Sequence, residues 1–408
     1  MKVEMAKEKL LVVGGGMASA RFVKELIALA PERYAITMIG DEPRLAYNRV
    51  LLSSVLAGEL SIRDIDLEPA RFWREAGVEL LAGRKATRID LAQRRVSLDG
   101  GETLSYSKLV LATGSHAIRL PIEGAGLPGV HTFRDVTDVA ALTRLGAAGR
   151  RVLVIGGGLL GLEAAHGLAR LGARVTLAHV VDRLMERQLD AGGAEILRCM
   201  VAAQGVDILL NSSVVAIRGG DRVTRVDFED GRSVEAEAVV FAVGIKPNAS
   251  LARDAGLMVT RGVVVDDGLA TSDRHVFAIG ECAEHRGVCY GLVEPAYQQG
   301  RVLAQRLAGR DSAYSGSVVS TNLKVSGVRV FSAGEFLGGA GARRLVYSDP
   351  AMGVYRKLIF RDDRLAGAVL IGDTRGGPDF LDLIRTGETV SASRDELMFG
   401  APVVKKAA

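Results

Sequence analysis

Two glycine-rich stretches hold the residues of this 408-residue chain whose types and spacing could do chemistry. They are Gly14-Gly15-Gly16-Met17-Ala18-Ser19 and Gly156-Gly157-Gly158-Leu159-Leu160-Gly161. Glycines at this spacing let a chain turn sharply from a strand into a helix and bring its backbone close to a pyrophosphate. The free N–H groups and partial positive charge of the helix N-terminus then favour phosphates. In the first stretch Ser19 replaces the third glycine and is still small enough for close helix packing.

The residues after each stretch bear on which nucleotide would bind. An acid after the second strand usually holds the ribose hydroxyls in this arrangement. Asp41 and Glu42 follow the first stretch; we prefer Glu42 and keep Asp41 as the alternative. The same position after the second stretch holds His179, and Arg183 is near. A neutral histidine neither repels a 2′-phosphate nor holds a ribose as a carboxylate does, so the choice between NADH and NADPH stays open.

Both stretches lie inside segments with the periodicity of a strand–helix–strand unit. The predicted elements of the first unit are a strand at 9–13, a helix at 18–30 and a strand at 35–39. Those of the second are a strand at 151–155, a helix at 160–171 and a strand at 174–178. Two dinucleotide sites in one chain suggest two different dinucleotides, an arrangement that passes hydride from one to the other.

The predicted fold class is α/β, with two Rossmann-like dinucleotide-binding domains and a C-terminal α+β domain. Apolar strands run into Ala112-Thr113-Gly114 and into Gly244, and both look like passages between domains. Alternating apolar residues from about residue 321 predict an antiparallel sheet, followed by a helix at 378–386. The predicted domains are 1–114 and 245–320 (first nucleotide domain), 115–148 (connection), 149–244 (second nucleotide domain) and 321–408 (C-terminal domain).

Composition restricts the partners. A formal net charge of +4 is too weak to indicate nucleic acid, and no basic block is interleaved with aromatic residues. The three cysteines form no C-x-x-C pair, so we expect no metal or iron–sulfur site within the chain. We also expect no membrane span, because no apolar run is long enough. A sparse, odd number of cysteines fits a reducing compartment, and we expect a cytoplasmic protein.

Five ordered motifs resemble the FAD-dependent pyridine nucleotide-disulfide reductase superfamily over nearly the whole chain. They are the segments 14–19, 112–114, 156–163, 242–248 and 276–281. Three further stretches, 42–49, 182–190 and 280–283, are most similar to the FAD- and NAD(P)H-binding N-terminal part of assimilatory NAD(P)H nitrite reductase large subunits. The resemblance implies FAD at the first stretch and NADH or NADPH at the second.

The resemblance also implies roles for single residues. Arg49 would lie near the FAD phosphates, and Glu281, after Gly280, would stand where the family has an aspartate that binds the ribityl chain and flavin phosphate. Thr113 and Gly114 would lie near FAD. Glu163 would lie beside the nicotinamide and orient its carboxamide, so it is the candidate catalytic residue.

Three departures from the family shape the expected reaction. The stretch Arg49–Ser54 lacks the redox-active cysteine pair, which disfavours a thiol relay. Ser54 stands where ferredoxin reductases often have a lysine. The iron–sulfur and sirohaem domains of nitrite reductases do not follow, so we expect an iron–sulfur or haem acceptor on another chain, serving nitrite or nitrate assimilation. The C-terminal sheet would form either a homodimer contact or the surface that docks the acceptor.

Three alternatives stay open at this point. One is a ferredoxin or rubredoxin reductase, and another is an NADH oxidase that delivers electrons to oxygen. The third is a non-catalytic, redox-sensing protein that uses its nucleotide sites only to change shape.

Overall fold

The computed structural model of the chain describes residues 7–325, 327–390 and 394–399. The strands, in chain order, are β1 (Glu8–Val13), β2 (Tyr34–Gly40), β3 (Glu79–Ala82), β4 (Ala86–Asp90), β5 (Arg95–Leu98), β6 (Thr103–Ser105), β7 (Lys108–Leu111), β8 (Ser115–Ala117), β9 (Val130–Thr132), β10 (Arg151–Ile155), β11 (Arg174–Ala178), β12 (Val206–Leu209), β13 (Val214–Gly219), β14 (Val223–Phe228), β15 (Ser233–Glu235), β16 (Ala238–Phe241), β17 (Ile245–Pro247), β18 (Val263–Val265), β19 (Val276–Ala278), β20 (Ala283–His285), β21 (Ser320–Val325), β22 (Val328–Gly334), β23 (Arg343–Asp349), β24 (Val354–Arg361) and β25 (Arg364–Ile371). The helices are α1 (Met17–Leu29), α2 (Leu52–Leu56), α3 (Ala70–Glu75), α4 (Val136–Ala147), α5 (Leu159–Arg170), α6 (Ala191–Ala202), α7 (Ser250–Asp254), α8 (Val293–Leu307), α9 (Gly377–Thr386) and α10 (Arg394–Met398).

The chain divides into two compact units, each made of discontinuous segments. The first unit consists of Met1–Leu51, Ser61–His116 and Ile245–Ser317. The second consists of Leu52–Leu60, Ala117–Gly244 and Val318–Ala408.

The first unit is built on a parallel sheet with the strand order β19-β7-β1-β2-β3. Its central strand β1 ends in an apolar run that is almost fully buried, as expected for a strand covered on both faces. Val13 pairs with Ile39 of β2 and with Leu111 of β7, so three parallel strands end at the same edge. Helix α1 packs closely on α8, because a Cβ atom on Gly300 would lie only 3.3 Å from the backbone nitrogen of Phe22.

The second unit repeats this design in a parallel sheet with the order β12-β11-β10-β16-β9. Ile155 pairs with Ala178 and with Phe241, so three strands again end together, immediately before Gly156. Helix α2 packs against α5 at Gly167, where an added Cβ atom would lie 2.7 Å from the Leu56 side chain.

The second unit also contains an antiparallel sheet near the C-terminus, with the order β21-β22-β25-β24-β23. Helix α9 covers one part of it, with Phe380 and Leu383 in a buried cluster that includes Phe331 and Leu370. Helix α6 packs against β24 and β25. The predicted alternation is largely replaced by continuous burial in β24 and β25, where helices from two directions cover the strands.

The predicted fold class is confirmed: two parallel Rossmann-like sheets and a C-terminal antiparallel sheet with a helix. The strands predicted at 151–155 and 174–178 have the observed bounds, and the predicted helices shift by one residue. The strands before Gly114 and Gly244 end three residues earlier, and these glycines have φ of +65° and +111°, which a strand does not accept. The sheets β4-β5-β6 and β13-β14-β15 were missed, since their strands have only three to six residues. The domain boundaries stay a prediction.

Candidate functional site

The first glycine loop, Gly14–Ser19, closes the edge at which β1, β2 and β7 end. Gly14 has φ of +124°, and a Cβ atom there would overlap the carbonyl oxygen of Ala112. Gly16 is the N-cap of α1, has no side-chain capping hydrogen bond, and an added Cβ atom would meet nothing within 4 Å. The loop therefore packs tightly on its protein side and leaves open space over the N-terminus of α1. This cradle fits a pyrophosphate.

The first turn of α1 explains why serine is accepted at the third position. Ser19 is fully buried, and its hydroxyl donates a 2.8 Å hydrogen bond to the carbonyl of Gly16. The hydroxyl is satisfied inside the loop, so burial of this polar group costs little. Met17 is buried, and Ala18 faces Gly280, where an added Cβ atom would lie 2.9 Å from the Ala18 Cβ. Gly280, with φ of +79°, thus lets its segment approach α1 closely.

The acidic position after β2 is part of a small polar cluster. Glu42 forms an ion pair with Arg49 and accepts a 2.8 Å hydrogen bond from the hydroxyl of Tyr47. Arg49 also donates a 2.9 Å hydrogen bond to the Tyr47 hydroxyl. Burial lowers the pKa of Arg49, but the charges of Tyr47, Glu42 and Glu281 outweigh it and raise the pKa. Asp41 is exposed. The structure thus joins Glu42 and Arg49, two residues that the sequence analysis assigned separate roles.

Asn248 fixes the Thr113–Gly114 turn. Its side-chain nitrogen donates to the Thr113 carbonyl at 2.9 Å, and the Thr113 hydroxyl donates to the Asn248 carbonyl at 2.6 Å. The Asn248 backbone N–H donates to the Gly114 carbonyl at 2.9 Å. Nearby in the same unit, Glu281 accepts a 2.7 Å hydrogen bond from the Ser115 hydroxyl. Hydrogen bonds with Asn248 therefore fix this turn in addition to its own backbone conformation.

The second glycine loop, Gly156–Gly161, has the same construction in the second unit. Gly156 has φ of +120°, and a Cβ atom there would overlap the carbonyl oxygen of Ala242. A Cβ atom on Gly161 would overlap the carbonyl oxygen of Gly156, so the third glycine is required here. Gly158 is the N-cap of α5 without a side-chain cap, and the space around it is open for 4 Å. Leu159 and Leu160 begin the helix and stay partly exposed.

His179, at the end of β11, contacts the second glycine loop directly. Its Nδ1 atom accepts a 3.0 Å hydrogen bond from the backbone N–H of Gly157, and its Nε2 atom lies 3.1 Å from a carboxylate oxygen of Glu186. Arg183 forms an ion pair with Asp182 at 2.8 Å. Gly244 ends the segment Ala117–Gly244 of the same unit, and its carbonyl accepts a hydrogen bond from the backbone N–H of Ile118.

Glu163 is the most perturbed acid of the candidate site. It lies on α5, is 7% exposed, and forms a side-chain hydrogen bond with Ser53. Burial raises the pKa of Glu163 from its ordinary 4.5 to about 8, against the smaller lowering effect of Ser53. The carboxyl group is therefore protonated at neutral pH and acts as a hydrogen-bond donor as well as an acceptor.

Several residues that shape these sites were missed by the sequence analysis. Asn248 stands inside a motif that was recognised, so its position was a usable signal. Tyr47 likewise lies in the recognised stretch 42–49. Glu186 lies in the recognised stretch 182–190, but its contact with His179 is made only in the folded chain. Ser53 gave no such signal, because its importance comes from its contact with Glu163.

Thiols and metal ligands add little to this picture. Cys282 is fully buried and donates weak hydrogen bonds to the carbonyls of Leu111 and Ile279. Within the described ranges, no group of three or more potential ligands could hold a metal ion. None of the helices in the described part of the chain is both long and apolar enough to cross a membrane.

Comparison with known proteins agrees with this geometry. Residues 8–300 match the family model "Pyridine nucleotide-disulphide oxidoreductase", and residues 320–388 match "Rubredoxin NAD+ reductase C-terminal domain". A nitrite reductase [NAD(P)H] of Bacillus subtilis is 42% identical over 95% of this chain and 48% of its own length. An assimilatory nitrate reductase electron transfer subunit of the same organism is 40% identical over 97% of this chain and 51% of its own length.

A solved structure shows the same fold over almost its whole length. In a covalent complex of putidaredoxin reductase with putidaredoxin, the matching chain has a TM-score of 0.87 and 26% identity, with 97% of this chain and 96% of that chain covered. By contrast, the chain spans about half the length of the two Bacillus subtilis relatives. The chain belongs to the pyridine nucleotide-disulphide oxidoreductase family and is an NAD(P)H-dependent flavin oxidoreductase.

Proposed function

We propose that the first glycine loop binds the pyrophosphate of FAD, that the second binds that of NAD(P)H, and that the electrons pass to a separate redox protein. The carrying observation is the repeated cradle: Gly16 and Gly158 each start a helix without a side-chain cap and with open space around them. When bound, the flavin accepts two electrons from the nicotinamide and releases them one at a time to the acceptor. The protein's own contribution is to bind and orient both groups.

Different residues around the first loop would hold different parts of FAD. The N–H groups at the start of α1 face the pyrophosphate, and Arg49 adds a positive charge beside them. Glu42 binds the ribose hydroxyls from its place between Tyr47 and Arg49, with Asp41 as the exposed alternative. A shallow depression lined by Gly15, Gly40, Trp73 and Ala82 adjoins the loop.

Glu163 of the second unit is the residue that we propose for the nicotinamide, and Thr113, Gly114, Gly280 and Glu281 of the first unit are those that we propose for the flavin. With the nucleotide bound, a protonated Glu163 would hold the nicotinamide carboxamide by donating a hydrogen bond to it, while its other oxygen accepts from Ser53. A neutral acid adds no negative charge to a site that must receive electrons. The pKa of about 8 therefore suits its role as a positioning group.

The acceptor we favour is an iron–sulfur or haem protein of nitrite or nitrate assimilation. The support is the 40–42% identity to a nitrite reductase and to an electron transfer subunit of nitrate reductase. A redoxin reductase is the second candidate, favoured by the match along 96% of the putidaredoxin reductase chain and by the C-terminal domain match.

A matched pair of glycine variants tests the assignment of the two loops. Gly16 and Gly158 have φ of −97° and −80°, and both have room for a side chain, so valine at either position keeps the fold while it blocks a phosphate. We expect Gly16→Val to lose FAD. We expect Gly158→Val to keep FAD but to resist bleaching of the flavin by NAD(P)H in an anaerobic titration.

The wild-type protein is the reference in the same titration. Absence of flavin absorbance after reconstitution with FAD, or bleaching of Gly158→Val at the wild-type nucleotide concentration, would overturn the assignment. Steady-state reduction of a purified ferredoxin, a rubredoxin and the iron–sulfur and haem part of a nitrite reductase then ranks the acceptors. Fast oxygen uptake without any acceptor would instead indicate an NADH oxidase, and failure to turn over an artificial dye would indicate a sensor.

A further inference from the structure

His179 occupies the position that normally carries the ribose-binding acid. Its orientation is fixed by backbone hydrogen bonds, by packing on the glycine loop and by hydrogen bonds of its ring. The backbone N–H of His179 donates to Leu209, and its carbonyl accepts from Ser212, so the residue continues β11. The ring is buried against Gly157, where an added Cβ atom would lie 2.7 Å from the imidazole carbons. The middle glycine of the loop is therefore needed to seat this histidine.

The hydrogen bonds of the ring determine which nitrogen carries the proton. Nδ1 accepts from the backbone N–H of Gly157, so it has no proton of its own. The proton lies on Nε2, which donates to the carboxylate of Glu186 at 3.1 Å. A carboxylate therefore lies near the end of β11. It is farther from the strand, by about the length of the imidazole ring, than the carboxylate of an acid at position 179 would be.

In addition to the hydrogen bond from the histidine, backbone contacts hold the segment that carries Glu186. The N–H of Met185 donates a 3.0 Å hydrogen bond to the carbonyl of Gly157, and Met185 is fully buried with φ of +50°. The Leu184 side chain covers the same glycine, 2.9 Å from where its Cβ atom would be. The segment that carries Glu186 is therefore clamped onto the glycine loop.

Glu186 itself remains accessible to a ligand. Its side chain is 30% exposed, and the oxygen that does not receive the histidine lies 3.8 Å from the Nε atom of Arg187, beyond hydrogen-bond distance. Of the two neighbouring arginines, Arg183 forms an ion pair with Asp182 at 2.8 Å, and Arg187 has a side chain that is 86% exposed.

We propose that Glu186, held by His179, binds the adenosine ribose hydroxyls of NADH and rejects the 2′-phosphate of NADPH. The inference rests on the proposed function, because it requires the second glycine loop to bind the nucleotide pyrophosphate. A carboxylate accepts hydrogen bonds from both ribose hydroxyls. It would repel a 2′-phosphate, which carries about two negative charges at neutral pH. Glu186 is a specificity-determining residue that replaces the missing acid of β11 from the following loop.

Calorimetric titration of the FAD-loaded protein with ADP-ribose and with 2′-phospho-ADP-ribose tests the inference without any turnover. We expect the wild type to bind ADP-ribose at least about tenfold more tightly than its 2′-phosphate. Glu186→Gln keeps the shape of the side chain and removes its charge, and we expect the preference to fall by about tenfold, which equals about 1.4 kcal/mol. Asp207→Asn removes an exposed negative charge on β12 of the same unit, away from the Asp182–Arg183 ion pair, and serves as the matched control; its preference should stay at the wild-type value.

The other outcomes separate the two levels of the proposal. Equal binding of the two probes by the wild type, or an unchanged preference in Glu186→Gln, overturns the role of Glu186 alone. A wild-type preference for the 2′-phosphate that Arg183→Gln abolishes overturns it too, and assigns selection to the arginine. Failure of both probes to bind at all overturns the nucleotide site of the proposed function.

Discussion

Replacement of Glu163 by glutamine should make the protein more stable at neutral and alkaline pH. The folded chain holds the proton of Glu163 up to a pH of about 8, whereas an unfolded chain releases it near 4.5. Between these values unfolding releases a proton, so stability falls as the pH rises and levels off above the folded pKa. Glutamine has nearly the same shape, keeps an oxygen for Ser53 and releases no proton.

The magnitude follows from the difference in pKa. Each unit is worth about 1.4 kcal/mol, so at pH 7 the wild type loses about 3 kcal/mol relative to its stability below pH 4.5. Glu163→Gln should not show this loss. We therefore expect the variant to be more stable than the wild type by about 1 kcal/mol at pH 5 and by about 3 kcal/mol at pH 7.

Urea unfolding followed by circular dichroism between pH 5 and 8.5, with FAD saturating throughout, measures this difference. Glu195→Gln is the control, because Glu195 lies on α6 in the same unit, is exposed, and has a pKa lowered by Arg198. Its difference from the wild type should not change over this range. If the difference between Glu163→Gln and the wild type is also constant from pH 5 to 8.5, the carboxyl group is ionised in the folded chain and the reasoning fails.

Three further predictions concern a buried ion pair, the second glycine loop and a buried thiol. Asp190→Ala should lower the free energy of unfolding by about 3–5 kcal/mol, because Lys357, 4% exposed and 2.6 Å from Asp190, would keep a buried unpaired charge; a double variant with Lys357→Met should recover part of this loss in the same urea experiment. Gly156→Ala should cost more than about 2 kcal/mol, since its φ of +120° and the Ala242 carbonyl exclude a Cβ atom, while Gly158→Ala in the same loop should change the melting temperature little. Cys282→Ser should leave the number of thiols that react with Ellman's reagent unchanged in the folded protein and lower it by one in denaturant, because Cys282 is fully buried and burial raises its pKa.

The glycine loops could be predicted from sequence because local rules determine them. A glycine at position 14 or 156 is required by a positive φ, which follows from the strand–turn–helix pattern. The clash of an added Cβ atom with the carbonyl of Ala112 or Ala242 involves a strand distant in sequence and does not follow from that pattern. The predicted fold class and the family resemblance rest on the same local signals. Ser19 shows how far they reach, since its hydroxyl is satisfied within one helical turn.

Contacts between segments distant in sequence could not be predicted in this way. The pKa of Glu163 depends on burial and on Ser53, which is 110 positions away in the chain but adjacent in the second unit. The position of Glu186 depends on the left-handed backbone of Met185, a conformation that this residue type rarely takes and that no sequence pattern announces. The sequence analysis accordingly found that His179 occupies the position of the usual acid, but not that the Glu186 carboxylate lies beside its ring.

The loop that carries Glu186 ends on the C-terminal sheet. The Gln188 carbonyl accepts a hydrogen bond from Ser332 at 2.7 Å, and Asp190 accepts from Tyr355 at 2.8 Å before α6 begins. Tyr355 also fits against Gly192, where a Cβ atom would lie 3.0 Å from its ring. Exchange of the C-terminal sheet as a whole module would therefore remove the contacts of Ser332 and Tyr355 with this segment, whereas substitutions on the outer surface of the sheet would leave them in place.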